Sequence, residues 1–248
     1  LGVTVLKETA RFLDARTLEA GAVRVRARRF VVATGSVPAM PAIPGLADVP
    51  ALTNESVFDL DRLPERLVVL GAGPIGCELG QAFRRLGAEV ALVETNRALA
   101  REDPALADIL KRRLTAEGVR LMEGTRVNRI ATGEGGAPIR VHLEDGGEPL
   151  EATHLLVAAG RTPCHADLDL ARAGVETGPD GVRVDRRMRT SNRRIFAIGD
   201  VTPGPRFTHV AGHQASLVVR QILFRMPVRF HPERMPRATY TDPELGQV

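Results

Sequence analysis

The sequence predicts an α/β fold, and three observations lead there. Apolar runs of strand length, among them Leu67–Leu70, Ala88–Val93 and His154–Ala159, recur along the chain and are too short for helices. Helical patterns lie between or after them, over Ile75–Leu86, Pro104–Glu117 and His209–Met226. Several of the apolar runs break directly into glycine, where a buried strand would feed a turn. At 248 residues the chain is long enough for one or two domains, on a prior of about 150 residues each.

Taken in order, Leu1–Ser36 reads as short strands with turns. Val3–Leu6 alternates loosely, Ala10–Asp14 and Ala22–Ala27 follow, and the last places Val23 and Val25 on one face of a meander. Arg16–Glu19 and Gly21 are expected to be turns, and Phe30–Ala33 a buried strand ending in Thr34-Gly35-Ser36. Pro38, Pro41, Pro44, Gly45 and Pro50 forbid long regular structure in the next stretch, although Thr53–Leu60 can form a short helix. A domain boundary is expected near Pro64.

Leu67–Glu94 is the most informative stretch: strand, Gly71-Ala72-Gly73-Pro74-Ile75-Gly76, helix, second strand, terminal acid. Gly71 permits the tight turn, Gly73 lets backbone approach a pyrophosphate, and Gly76 lets the helix lie close to the strand. The helix start offers N–H groups and a partial positive charge to phosphate. Its apolar face is read as Ile75, Leu79, Ala82, Phe83 and Leu86, with Gly87 closing it. Glu94, 18 residues after Gly76, is placed to accept hydrogen bonds from the adenosine ribose. A carboxylate there repels a 2′-phosphate and favours NAD over NADP; Arg97 is the counter-argument. The pattern predicts a Rossmann-like NAD-binding domain.

Beyond it, Asp103 is a plausible N-cap for a helix over Pro104–Glu117, with Leu106, Ile109, Leu110 and Leu114 apolar and Gly118 at its end. Strands are expected over Val119–Met122, Arg126–Ala131, Ile139–Leu143 and His154–Ala159, with turns at Gly133–Pro138 and Asp145–Pro149. This gives a βαβαβ half with an antiparallel hairpin before its final strand. A short helix over Leu168–Ala173 and strands at Val182–Val184 and Arg194–Ile198 come next. The last strand ends in Gly199-Asp200, a carboxylate at the carboxyl edge of a sheet, where α/β folds bind ligands. Pro236–Gly246 begins something new.

Composition narrows the function classes. Net charge is +4, the only lysines are Lys7 and Lys111, and acids are interspersed among the arginines. Tryptophan is absent and Tyr240 is the one tyrosine, so the basic face with stacking rings that nucleic acid requires is missing. Cys77 and Cys164 form no CxxC, and the six histidines show no metal-binding pattern. No apolar run is long enough to span a membrane and no signal peptide is visible, so a cytoplasmic protein is the default expectation.

The motifs in this order, from Ala33–Ser36 through GAGPIG with Glu94, Gly160–Pro163 and Ile195–Asp200 to Tyr240–Glu244, resemble the FAD-dependent pyridine nucleotide–disulfide oxidoreductases. Dihydrolipoamide dehydrogenase and mercuric reductase are such enzymes. The resemblance covers the whole chain and implies hydride transfer from NAD(P)H to FAD and onward to a disulfide, a metal ion or another acceptor. It implies that Gly71, Gly73, Pro74, Ile75, Gly76 and Glu94 hold NAD, that Val127 and Gly160 line its adenosine side, and that Glu78 lies near the nicotinamide. It also implies that Thr34 and Gly35 lie against FAD, that Asp200 bonds the ribityl chain, and that Arg161 faces a cofactor. Arg206–His209, with Phe207 and Thr208, would sit by the isoalloxazine.

By the same resemblance, residues 1–63 and 161–227 are parts of an FAD-binding domain around an NAD(P)-binding domain at 64–160. Residues 228–248 would start a dimerisation domain, and a homodimer is expected of the full-length protein. The first FAD-binding GxGxxG and the CxxxxC pair are absent, so the chain is expected to be an internal fragment without catalytic residues of its own, and Cys77 to be a packed side chain. The alternatives are a cysteine-free, transhydrogenase-like flavoenzyme and a non-catalytic NADH-binding module.

Overall fold

The structure is a computed structural model that describes residues 2–132 and 138–248. The turn expected at Gly133–Pro138 lies, except for Pro138, outside the described residues. Contacts divide the chain into two compact units. One comprises Leu1–Val37 and Thr162–Met235, the other Pro38–Arg161 and Pro236–Gln247.

The second unit is built on a five-stranded sheet in the order Leu52–Thr53, His154–Val157, Arg66–Leu70, Glu89–Val93, Arg120–Met122. All pairings in it are parallel. Alternation along the strands decides the layers. Leu67, Val69 and Leu92 bury with Cys77 of helix α1 (Pro74–Leu86) and with Ala107, Leu110 and Leu114 of α2 (Pro104–Ala116). Their neighbours Val68, Leu70 and Val93 bury on the opposite face with Ile130, Val141 and Leu150. Those residues belong to an antiparallel sheet of Val127–Ala131, Ile139–Leu143 and Leu150–Ala152. The result is the expected three-layer, Rossmann-like domain with an antiparallel element before its last strand. From Arg66–Leu70 the chain moves outward on one side, then returns on the other side as His154–Val157. The carboxyl ends of these two neighbours form a topological switch point, where open α/β sheets bind ligands.

Several local expectations change. The inward face of α1 is Gly76, Cys77, Gly80 and Gln81, not the apolar set. Leu86 is exposed and Leu79 and Phe83 are only partly buried. The helix lies so close to the sheet that a Cβ on Gly80 would meet Leu92 Cδ2 at 2.8 Å, so small residues occupy the contact. Leu106 and Ile109 of α2 are likewise exposed, and Ala107 takes the inward position. Leu52–Thr53 and Leu150–Ala152 add strands that their short sequences do not announce. Pro236–Gln247 folds as a hairpin of Arg237–Thr239 with Leu245–Gln247, and Leu245 buries in the helical-face core of this unit.

In the first unit, Ala10–Phe12, Thr17–Ala20 and Val23–Arg26 form an antiparallel meander. A turn is expected at Arg16–Glu19, but Thr17–Ala20 is the central strand, because it pairs on both edges. Val3–Leu6 is not a strand; it gains no ladder partner, and Val3 and Val5 stand exposed. Phe30–Val32 pairs in parallel with Ile195–Ala197, across a long stretch of sequence. That strand is buried on one side only: Val32 is inside and Val31 is exposed. Where a short helix is expected over Leu168–Ala173, two 3-10 turns stand at Ala166–Leu168 and Leu170–Ala173, and Val182 belongs to a small hairpin of Thr177–Gly178 with Gly181–Val182. Helix α3 (Thr208–Phe224) closes the unit, ending with Arg225 in a left-handed conformation before Pro227. Among the described residues, no helix is long and apolar enough to cross a membrane.

Candidate dinucleotide and flavin sites

The Gly71–Gly76 turn sits at the switch point, and its three glycines serve different ends. Gly71 has φ +105°, and a Cβ there would lie 2.5 Å from the Ala158 carbonyl oxygen. A Cβ on Gly76 would lie 2.1 Å from the Gly71 carbonyl oxygen. Packing alone therefore demands glycine at both positions. Gly73 is different. Its backbone is extended, with φ −78°, and a Cβ there would meet nothing within 4 Å. Neither strain nor packing within the chain requires glycine at 73, but a closely approaching pyrophosphate would.

Gly73 is also the N-cap of α1, and no side chain caps this helix. Pro74 brings no N–H, and the first intrahelical bond is Cys77 N–H to the Gly73 carbonyl at 2.9 Å. The N–H groups of Ile75 and Gly76 precede that bond and belong to the unsatisfied first turn. No acidic residue sits in that turn. A first turn of free N–H groups without an anion of its own suits a phosphate.

Glu94 follows the strand Glu89–Val93, and both its oxygens are anchored. Oε2 accepts the Ala72 N–H at 2.9 Å and Oε1 accepts the Asn96 N–H at 2.9 Å. An ionised carboxylate has about four acceptor positions, so two remain for ribose hydroxyls. Arg97 is turned to α2, where Nη2 donates to Asp108 Oδ1 at 3.0 Å and to the Pro104 carbonyl at 3.2 Å. Gly160, after the strand His154–Val157, has φ +119° and open space at its Cβ position, and its carbonyl accepts the Ala39 N–H at 3.0 Å. Val127 packs at the edge of the core beneath the antiparallel sheet. Arg161 donates through Nη1 to Asn54 Oδ1 at 3.0 Å and faces Glu55 at 3.8 Å.

Glu78, one turn into α1, is half-buried, and burial pushes its carboxyl above the usual carboxylate range. The Tyr240 N–H donates to its Oε1 at 2.8 Å and partly offsets that shift. Beside it, Gln81 is buried and exchanges two hydrogen bonds with the backbone of Asp242, at 2.8 and 2.9 Å. No local signal announces this docking of Pro236–Gln247, because Gln81 looks like any helical surface residue until its distant partner is placed. Burial pushes the Cys77 thiol up to about 12. It lies within the core against the Ala72 carbonyl, as a packed thiol.

In the first unit, the parallel pair Phe30–Val32 and Ile195–Ala197 brings Thr34, Gly35 and Asp200 to one sheet edge. Ser36 Oγ donates to Asp200 Oδ2 at 2.8 Å, a positioning contact that sequence reasoning missed. Gly35 has φ +70° with open space at its Cβ position. Thr34 donates its hydroxyl to the Cys164 carbonyl. The Gly199 N–H donates to the buried Gln214 Oε1 at 2.7 Å, which ties this edge to α3. At the start of that helix Thr208 is exposed, and the Phe207 and His209 rings stack with centroids 5.5 Å apart.

Comparison with known proteins agrees with this architecture. The family profile described as pyridine nucleotide-disulphide oxidoreductase matches residues 1–215. A mercuric reductase from Bacillus cereus is 37% identical over 251 residues, covering 100% of this chain and 40% of the relative. Dihydrolipoyl dehydrogenase 3 from Pseudomonas aeruginosa is 36% identical over 234 residues, covering 93% of this chain and 50% of the relative. The chain thus spans about half the length, or less, of these relatives. Among solved structures, the Cu(II) complex of the HOCl-induced flavoprotein disulfide reductase RclA from Escherichia coli superposes with a TM-score of 0.88 at 30% identity. That match covers 96% of this chain and 55% of the other. The chain belongs to the pyridine nucleotide-disulphide oxidoreductase family.

Proposed function

We propose that this chain is the nucleotide-handling part of an NAD(P)H-dependent flavin oxidoreductase. Residues 64–160 take NAD(H), residues 1–63 and 161–227 contribute to an FAD site, and residues 228–248 lead into the region through which the full-length protein pairs as a homodimer. The observation that carries the reading is Gly73, the one glycine of the turn that only an external ligand explains.

The groups around the α1 turn fit a dinucleotide. Ile75 and Gly76 offer N–H donors to the pyrophosphate, and Pro74 fixes the first helical residue without competing for them. Glu94, held from both sides by backbone, accepts the ribose hydroxyls. Arg97 is engaged by Asp108, which favours NADH over NADPH at this site. Val127 and Gly160 flank the adenosine side, and Glu78 bonds the nicotinamide end. Thr34, Gly35 and Arg161 lie against FAD, and Asp200, oriented by Ser36, accepts from its ribityl chain. Phe207, Thr208 and His209 lie at its ring end, where the start of α3 favours negative charge. Bound FAD would supply the step from two-electron hydride chemistry to the final acceptor.

The names of the relatives point to a metal ion or a disulfide as that acceptor class. Cys77, protonated and buried, is not suited to electron transfer.

The test is calorimetric titration of the chain with NADH and NADPH, preceded by a visible spectrum for flavin. NADH binds more tightly, and Glu94→Ala weakens it by about tenfold through loss of charge-assisted hydrogen bonds. Equal binding to Glu94→Ala and the unsubstituted chain would overturn the ribose assignment. Failure of both nucleotides to bind would overturn the whole reading.

A further inference from the structure

An arginine-lined cleft in the first unit contains none of the residues named above for the dinucleotide or the flavin. It has a volume of about 460 Å³, and its lining includes Asp185, Arg186, Arg187, Arg189, Val228 and Arg229. A second cleft of about 330 Å³ shares Asp185 and Arg189 with it and adds Arg183 and Arg193. Within residues 183–194, six arginines face a single acid, Asp185.

That acid is already used. Asp185 Oδ2 takes Arg189 at 2.9 and 3.0 Å, and Oδ1 accepts the Arg187 and Arg189 N–H groups at 2.7 and 3.0 Å. Among the described residues, Arg186, Arg187 and Arg229 have no ion pair within 4.0 Å. Arg186 reaches Glu233 only as a longer-range field, and Glu233 is itself bonded to His231 at 2.8 Å. Three guanidinium groups thus border one cleft with their charge uncompensated by contact.

The backbone that presents them is held. The Asp185 N–H donates to the Arg189 carbonyl, and the Met188 N–H to the Asp185 carbonyl, each at 2.9 Å. Met188 between them has φ +58°, a conformation costly for a long side chain, yet it is buried in the core beneath α3. Gln221 of α3 donates to the Arg187 carbonyl at 2.9 Å, and the Phe230 N–H to the Arg186 carbonyl at 2.7 Å. The positions of both arginine backbones are therefore fixed from the core, while their side chains stay exposed.

We propose that this cleft binds a compact anion of linked phosphates, free or as the tail of a nucleotide. Planar guanidinium groups pair phosphate oxygens bidentately, and several around one small volume favour multiply charged anions over single ones. The site is separate from the α1 turn and is independent of the reading of that turn.

Inorganic tripolyphosphate is the probe, titrated calorimetrically into the chain and into its Gly73→Asp variant, whose α1 end is closed to phosphate. One site remains in that variant. Arg186→Gln/Arg187→Gln/Arg229→Gln weakens it by at least about tenfold through the loss of charge-assisted hydrogen bonds. The charge-matched Arg112→Gln/Arg120→Gln/Arg129→Gln leaves it unchanged. ATP that binds as tightly assigns the site to nucleotide tails; weaker ATP binding assigns it to the free anion. A cleft triple variant that binds like its parent, or a control triple variant that loses as much, would overturn the proposal. Should Gly73→Asp not fold, ³¹P line broadening of tripolyphosphate on the parent chain and the two triple variants gives the same comparison.

Discussion

Helices α1 and α2 lie on the same face of the same sheet and have the same length, 13 residues. Both start with proline, and glycine follows both: Gly87 closes α1 with φ +114°, and Gly118 follows α2 with φ +90°. They differ at the N-cap. Asp103 accepts the Ala105 and Leu106 N–H groups of α2 at 2.9 and 3.3 Å. Gly73 leaves the N–H groups of α1 without a side-chain acceptor. A carboxylate that ends α2 as a finished structural element is missing where α1 meets the switch point. Under the proposed function, a phosphate takes the place at α1 that the Asp103 carboxylate holds at α2.

Substitutions at the two helices separate a structural end from a binding one. The largest stability effect belongs to Gly76→Ala, whose Cβ would press on the Gly71 carbonyl. Denaturant unfolding should show a loss of about 3 kcal/mol, at the upper end of overpacking costs. A loss within error would mean the α1–strand contact is looser than described. Asp103→Ala removes the α2 cap and should cost about 1 kcal/mol by the same method, with NADH affinity unchanged. Altered affinity would show that the α2 cap is not purely structural.

Glu78→Gln has the smallest effect, and it depends on pH. Burial raises the carboxyl of Glu78 in the folded chain, so its protonated form favours folding. That contribution is complete below the unfolded value and is lost as pH rises through the folded one. Glutamine does not titrate and keeps an oxygen for the Tyr240 N–H. The variant should therefore gain stability over the parent between acid and neutral pH, by less than about 1 kcal/mol because solvent screens the half-exposed group. Melting temperatures at several pH values read this directly, and a gain that shrinks with rising pH would contradict it.

The same contrast explains what could be read from the sequence. Gly71–Glu94 was legible because turn, helix and acid lie within one short stretch, and each residue type answers a local requirement. The three-layer domain followed from strand-length apolar runs such as Leu67–Leu70. Thr34 and Asp200 stand at one edge only after Phe30–Val32 pairs with Ile195–Ala197, so Ser36 as the partner of Asp200 had no local signal. The turn expected at Arg16–Glu19 gives way to the strand Thr17–Ala20 because strand character there comes from two neighbours rather than from alternation. The inward face of α1 was misread for the opposite reason: helical periodicity finds large apolar residues, and a close helix–sheet contact selects Gly76 and Gly80 instead.

Gly73→Asp gives α1 the cap that α2 already has, and so separates ligand binding from helix stability at one residue. The backbone at 73 is extended and a Cβ has free space, so the substitution fits the fold. An aspartate cap with a favourable dipole contact should hold stability level or raise it by about 0.5 kcal/mol. The same carboxylate would take the N–H groups that the proposed site offers to phosphate, and would repel the anion. Paired thermal melting and NADH calorimetry should show an undiminished transition with affinity reduced by at least about 100-fold. A variant that melts like the parent and still binds NADH as tightly would contradict the account.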